Sequence, residues 1–392
     1  MSKGADVVVV GGGVIGCACA YELASHGAKV VLAERSELAA GASGRNHGLL
    51  LSPLDPGLAP MAESTLAAYA ELTASTTVPV GMDAEPVGYL LVAMDDPAER
   101  KAASLEAEAA AACGVKIENL DRRAVRELEP ELDESVAEGW LFDDGRRLQP
   151  AVLTAAFAQA AAAAGAVIRT HLAVRALSTQ GDRVRGVLTD EGSLSADVVV
   201  VAAGPWTPTL VRPLGVNMPI TGARGWLVNV APAQAPVRRL VSRAGWHAPP
   251  DPDGTPPVRA ADLVGGSPPG EMIGTMLQPN TDGTMLIGGS RQFAFTPEPD
   301  DPSVPQRLLA GAIDLVPSLA GAPVQGAWWG IRPMTPDGRP VIDEVGAGVV
   351  VASGHGSLGV ILGGGTARLV ASIVLETEAP FDAEPFAAAR FG

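Results

Sequence analysis

Cysteine, lysine, tyrosine and long unbroken apolar runs are all scarce in this chain, and each shortage excludes something. The three cysteines, Cys17, Cys19 and Cys113, give neither a disulfide framework nor metal-ligand spacing, and no metal site is expected. Cys17 and Cys19 fall in an apolar helical stretch and read as buried thiols. Lysine occurs only at Lys3, Lys29, Lys101 and Lys116, so no lysine-based chemistry is available beyond residue 116. No run of about 20 apolar residues occurs. The N-terminus passes into an apolar strand by Asp6 without signal-peptide architecture. A soluble, reducing, cytoplasmic setting without an integral membrane segment is expected, and a homo-oligomer is compatible with it.

What is present suits a large folded protein. The chain has 392 residues, 47% of them hydrophobic, enough for two domains. The formal charge of -16 argues against nucleic acid as a partner, because phosphates call for a basic surface.

The first forty residues read as strand, glycine turn, helix, strand. Val7 to Val10 form a β-branched run suited to a strand buried on both faces. Gly11-x-Gly13-x-x-Gly16 follows. Gly11 allows the tight turn, Gly13 lets backbone approach a pyrophosphate, and Gly16 lets the helix, beginning near Val14 and Ile15, pack on the strand. The free N–H groups and positive dipole end of that helix favour phosphate. Glu34 and Arg35 close the second strand, where the carboxylate can take a ribose hydroxyl and repel a 2′-phosphate. A second literal match, Gly354-x-Gly356-x-x-Gly359, leads into an apolar stretch that reads as one helix to Glu376 with no following strand. It is rejected as a second dinucleotide site, although its helix N-terminus suits an anionic ring.

The α/β pattern is then interrupted. Helices are expected over 60–75 and 98–113, and an alanine-rich helix capped at Gly165. The alternating stretches 222–230 and 272–292, the latter a hairpin turning at Asn280 to Gly283, suggest an antiparallel sheet in a separate domain. Between them 247–270 is a proline-rich surface excursion. The fold class expected is α/β: a Rossmann-like cofactor domain (1–80, 140–215 and 322–392) interrupted by an α+β substrate domain (81–139 and 216–321).

With these pieces placed, the chain resembles the D-amino acid oxidase, glycine oxidase and sarcosine oxidase family of FAD enzymes over nearly its whole length. The motifs are the glycine fingerprint with Glu34, the loop GASGRNHG, DDGRRLQP, VVVVAAGPW, IRPMTPDG, SGHGSLG and the terminal PFAAARF. The resemblance implies FAD in an extended conformation, an antiparallel sheet roofing the flavin, and oxidation of a C–N bond in a carboxylate-bearing amine by hydride transfer to flavin N5. It implies that Gly11, Gly13 and Gly16 hold the pyrophosphate and Glu34 the ribose. Ser43, Gly44, Arg45, Asn46, His47 and Gly48 would lie along the pyrophosphate and flavin. Val174, Ala203 and Gly204 would border the adenosine half, and Gly354, His355, Gly356, Ser357 and Leu358 the flavin ring. Arg332, in WWGIRPMTPDGRP, matches the carboxylate-binding arginine, with His355 beside it as the second catalytic candidate. Asp337 or Asp343 pairing with Arg332 is the competing reading.

Three departures qualify this. No cysteine lies near Arg332 and Arg45 stands where some relatives attach flavin to histidine, with His47 two residues off, so non-covalent FAD is expected. Tyr21, Tyr69 and Tyr89 all precede the expected roofing sheet, so Met276, Gln278, Trp246 or His247 would replace the tyrosines that relatives use on substrate. Arg224 is a second carboxylate candidate, or an exposed strand arginine. The oxygen-activating lysine of some relatives has no counterpart. A flavin monooxygenase is disfavoured because SGHG stands where an acidic GD motif is usual. A hydroxy-acid dehydrogenase of the same fold and a non-catalytic flavin-binding subunit remain alternatives.

Overall fold

The computed structural model describes residues 4–232, 234, 236–244, 272–293 and 303–392. Two eight-stranded sheets organise them. In the first, the strands run in the order 341–346, 349–353, 192–201, 5–10, 30–33, 167–169, with a 174–180/183–189 meander paired to 192–201. The pairs from 349–353 to 167–169 are parallel, as the valine runs predict, and 341–346 is antiparallel at the edge. Helices Val14–Ser25, Ala59–Ser75, Pro150–Ala163 and Gly359–Leu375 share one core. The stretch after Gly359 is indeed a single helix, closed by Glu376 in the left-handed region.

Glycine is required at the fingerprint turn. Gly11 has φ +117°, and a Cβ there would lie 2.9 Å from the Ala202 carbonyl carbon. A Cβ on Gly16 would strike the Gly11 carbonyl. The third glycine thus protects the turn from the helix as well as the helix from the strand.

The second sheet runs 324–334, 221–230, 285–291, 272–279, 240–243, 89–94, 136–142, 117–121. Every pair is antiparallel except 240–243 with 89–94. Period-two alternation separates its faces. Leu90, Val92, Trp226, Val228, Leu277 and Ile287 pack with helix Ser303–Leu315. Tyr89, Leu91, Phe142 and Met276 face the other way, toward helix Pro97–Ala112.

Two expectations are corrected here. Strands 136–142 and 324–334 pair within the second sheet, so the boundaries expected at 140 and 322 fall differently. Tyr89 does not precede the roofing sheet: its strand joins that sheet by parallel pairing to Leu240–Arg243. Trp246, His247 and the proline-rich excursion lie outside the described residues.

Candidate active site

A cavity of about 800 Å³ runs between the two sheets. At one end it is lined by Glu34, Arg35, Val174, Ala203, Gly204 and Trp206, with the Arg35 guanidinium 3.8 Å from the Trp206 ring centroid. Both Glu34 oxygens take backbone N–H groups, from Gly12 at 2.6 Å and Ser36 at 2.8 Å. The carboxylate is therefore fixed in place, and its remaining lone pairs can accept a ribose hydroxyl.

The middle of the cavity is the N-terminus of the first helix. Gly11, Gly13, Val14 and Ile15 line it, and the Ser43 hydroxyl accepts from Val14 N–H at 2.9 Å. Polar hydrogens and a dipole end gather there, which suits a pyrophosphate. Asn46 holds the 41–48 loop: its amide donates to the Ala42 and Ser43 carbonyls and its oxygen accepts from Gly48 N–H. Arg45 donates to the Trp329 carbonyl at 3.2 Å and so ties this loop to the second sheet. Gly16, Gly44 and Gly354 do not line the cavity. They shape its walls, Gly44 against Ala39 and Gly354 (φ +86°) against Thr335.

At the far end lie Arg332, His47, Met276, Gly225 and the 355–359 segment. Arg332 crosses Gly225: a Cβ there would strike Nη1 and lie 2.6 Å from Cζ. Its Nη1 donates to the Ser290 carbonyl at 3.1 Å. Neither candidate aspartate pairs with it. Asp337 binds Arg390, and Asp343 accepts from Ala388 N–H. Among the described residues Arg332 has no carboxylate partner. Burial, with the nearby charge of Arg291, pushes its pKa down to about 9, the mark of a cation lacking its anion.

The two histidines differ. His47 lines the cavity with Nε2 unpartnered, packed against the open face of Gly288. His47 and Arg332 are half-buried, and both line the cavity wall. Burial and the Arg332 charge lower the His47 pKa to about 3, so the ring is neutral. His355 also lines the cavity, but its Nε2 is hydrogen-bonded at 2.9 Å to Thr366 of the C-terminal helix. Burial holds it near 3 as well. His355 thus faces the cavity while its bond to Thr366 ties the 354–359 turn to the C-terminal helix.

Two substrate candidates also move. Arg224 is buried, not exposed. It pairs across the sheet with Ile331, so it lies on the face opposite Ala223 and Arg332, with its guanidinium 4.7 Å from the Trp329 ring centroid. Gln278 shares Met276's face but lies outside the cavity lining. Tyr89, Glu106, Phe142 and Asp144, none of them anticipated, line a further extension. Tyr89 carried a signal as an aromatic opening an apolar run, and Asp144 lies in the DDGRRLQP motif, where no role was assigned to it.

A glycine-turn nucleotide fold joined at a shared cavity to a roofing sheet with an anion-seeking arginine defines a dinucleotide-dependent oxidoreductase. Residues 6–373 match the family described as FAD dependent oxidoreductase (DAO), and the chain belongs to it. It is 31% identical over 405 residues to a glycine oxidase of Geobacillus kaustophilus, covering 98% of this chain and 97% of that one. The crystal structure of glycine oxidase from the same organism superposes with a TM-score of 0.84 at 26% identity, covering 98% of each chain. The Bifunctional protein ThiO/ThiG of Synechocystis sp. is 28% identical over all of this chain and 55% of its own length. The chain thus spans about half the length of several curated relatives that it matches. The cavity residues fit FAD: a fixed acid at the adenosine end, a helix N-terminus at the pyrophosphate, and room beyond for a ring. No described helix is long and apolar enough to cross a membrane.

Proposed function

We propose that this protein oxidises the C–N bond of a small amine or amino acid bearing a carboxylate, giving an imine. The observation that carries the reading is Arg332, an enclosed guanidinium at the ring end of the cavity with no acidic partner among the described residues. Its planar fork matches a carboxylate through two parallel hydrogen bonds. A second copy of that charge, Arg291, lies close enough to depress its pKa, which makes an arriving anion more favourable still.

When bound, FAD supplies the acceptor for the hydride lost from the substrate carbon. The chain supplies alignment. Arg332, held by Ser290 and seated over Gly225, fixes the carboxylate and with it the direction of the neighbouring C–H bond. The dipole end of helix Gly359–Leu375 points at the site and favours negative charge there. No described group at this end is a general base near neutral pH, since His47 and His355 are both held near 3. In this reading the amine enters unprotonated. FAD is held non-covalently in this reading: Cys17 and Cys19 are buried in the first helix, Cys113 ends the 97–112 helix, and Arg45 is bonded to Trp329.

The test is anaerobic flavin reduction by amino acids, N-methyl amino acids and hydroxy acids, each beside its amide or decarboxylated analogue. Acids should reduce the flavin and their analogues should do so poorly, with Arg332→Ala removing the difference. A wild type that prefers plain amines overturns the reading.

A further inference from the structure

The cavity does not end at Arg332. Beyond Met276 it continues under the second sheet into a chamber walled by Leu51, Leu54, Val115 and Phe142. Two carboxyl groups stand in this apolar lining. Glu106 projects from helix Pro97–Ala112, is 4% exposed, and its one described partner is the Tyr89 hydroxyl, which donates to Oε1 at 3.3 Å. Asp144 accepts from Ser52 N–H at 2.7 Å through Oδ2, while its buried Oδ1 has no partner. Among the described residues no lysine or arginine lines this part; the cavity's arginines are Arg35, Arg45, Arg175 and Arg332. An acid in such a wall either holds its proton or ionises against a cation that enters beside it.

Building on the carboxylate-bearing amine proposed above, we infer that the substrate is a long one: its carboxylate sits on Arg332, an apolar stem runs past Met276, and a basic end group reaches Glu106, with Asp144 adding negative potential. The sheet gives the length. Five steps of about 4.8 Å separate the strand of Arg332 from that of Tyr89. Arg332 reaches back over Gly225 to Ser290, across two of those steps. Roughly 14 Å remain, about four residues of extended chain or a dozen backbone bonds. Glycine or alanine would leave the chamber empty. Burial raises the Glu106 pKa to about 8, so the empty chamber holds a proton there that an incoming ammonium would displace.

The experiment compares FAD-loaded wild type, Glu106→Gln and Tyr89→Phe in anaerobic flavin reduction. The probes are N-(aminobutyl)-, N-(aminohexyl)- and N-(aminooctyl)glycine, the corresponding N-alkylglycines, racemic α-amino acids carrying the same stems, and glycine. In the wild type kcat/KM should rise with stem length, and the amine-tailed member of the longest pair should exceed its alkyl partner by about 10–100-fold. Glu106→Gln should erase that ratio. Tyr89→Phe, which keeps the carboxyl, should retain most of it. Alkyl tails that equal or beat amine tails, a ratio that survives Glu106→Gln, or turnover confined to short acids each overturns the chamber assignment while leaving the proposed reaction standing. If no carboxylate-bearing amine reduces the flavin, the reaction itself falls and the chamber with it.

Discussion

Gly225→Ala should reproduce the loss of Arg332 without touching Arg332. The glycine is mid-strand, has no positive φ, and pairs with Gly330, so an alanine backbone fits the sheet. What does not fit is the methyl group. It would strike Nη1, with Cζ at 2.6 Å and Nη2 at 2.8 Å. The guanidinium is the far end of a flexible side chain, so it moves and the sheet does not. The move breaks the bond to Ser290 and misaims the fork. Deleting one partner of a buried charge pair costs roughly 2–5 kcal/mol. A misplacement near 1 Å can cost about 10²-fold. A fall of about 10²-fold in kcat/KM for acid substrates is therefore expected, with an unchanged FAD dissociation constant and little change in melting temperature. The amide analogues should lose far less. Equal losses for acid and amide, or no loss for either, would refute the placement of Arg332 over this glycine.

Other outcomes follow from the same geometry. Glu34→Ala should weaken FAD binding by roughly 1.5–3 kcal/mol in titrations of the apoprotein, because the bonds to Gly12 and Ser36 that fix the turn go with it. Acid precipitation should release the yellow colour into the supernatant; colour kept in a washed pellet contradicts non-covalent FAD. Glu106 is held protonated up to about 8, so the folded state binds a proton that the unfolded chain releases near 4.5. Stability should fall as pH rises between those values, by up to roughly 5 kcal/mol, and Glu106→Gln should flatten that decline in urea titrations at several pH values. Thr366→Val should leave His355 Nε2 unpaired and cost about 1–3 kcal/mol of stability.

Much of this was legible in the chain, and the remainder failed for definite reasons. The fingerprint, Glu34 and the helix after Gly359 could be read because their signals, glycine spacing, a strand-ending acid and a long apolar run, are local in sequence. Arg332 stood out because charge is expensive between Trp329 and Pro333. Arg224 was misjudged because its direction depends on pairing parity with residues a hundred positions away: Ala223 opposes Arg332, so Arg224 must face elsewhere. Tyr89 was set apart from the sheet because a parallel partner at 240–243 leaves no hairpin signature. Glu106 hides in the ordinary helical run LEAEAAAA, where only packing decides which glutamate is enclosed. His355 between two glycines looked free because Thr366, its partner, lies two turns into the helix that follows.

The segment 324–346 is the edge of both sheets, first carrying Arg332 and then turning at Thr335 to Arg339 into strand 341–346. Gly356 N–H donates to the Pro333 carbonyl at 2.8 Å, and Met334 bridges His355. The arginine and the turn at the ring end are thus pinned on one short length of chain, like two marks on a ruler. The chamber is drawn from different parts: the 89–94 strand, the 97–112 helix and the loop at Asp144. Inherited changes can accumulate in those parts, altering how large a molecule is accepted, without disturbing the spacing on the ruler. A scaffold divided this way can diversify its diet while keeping its reaction.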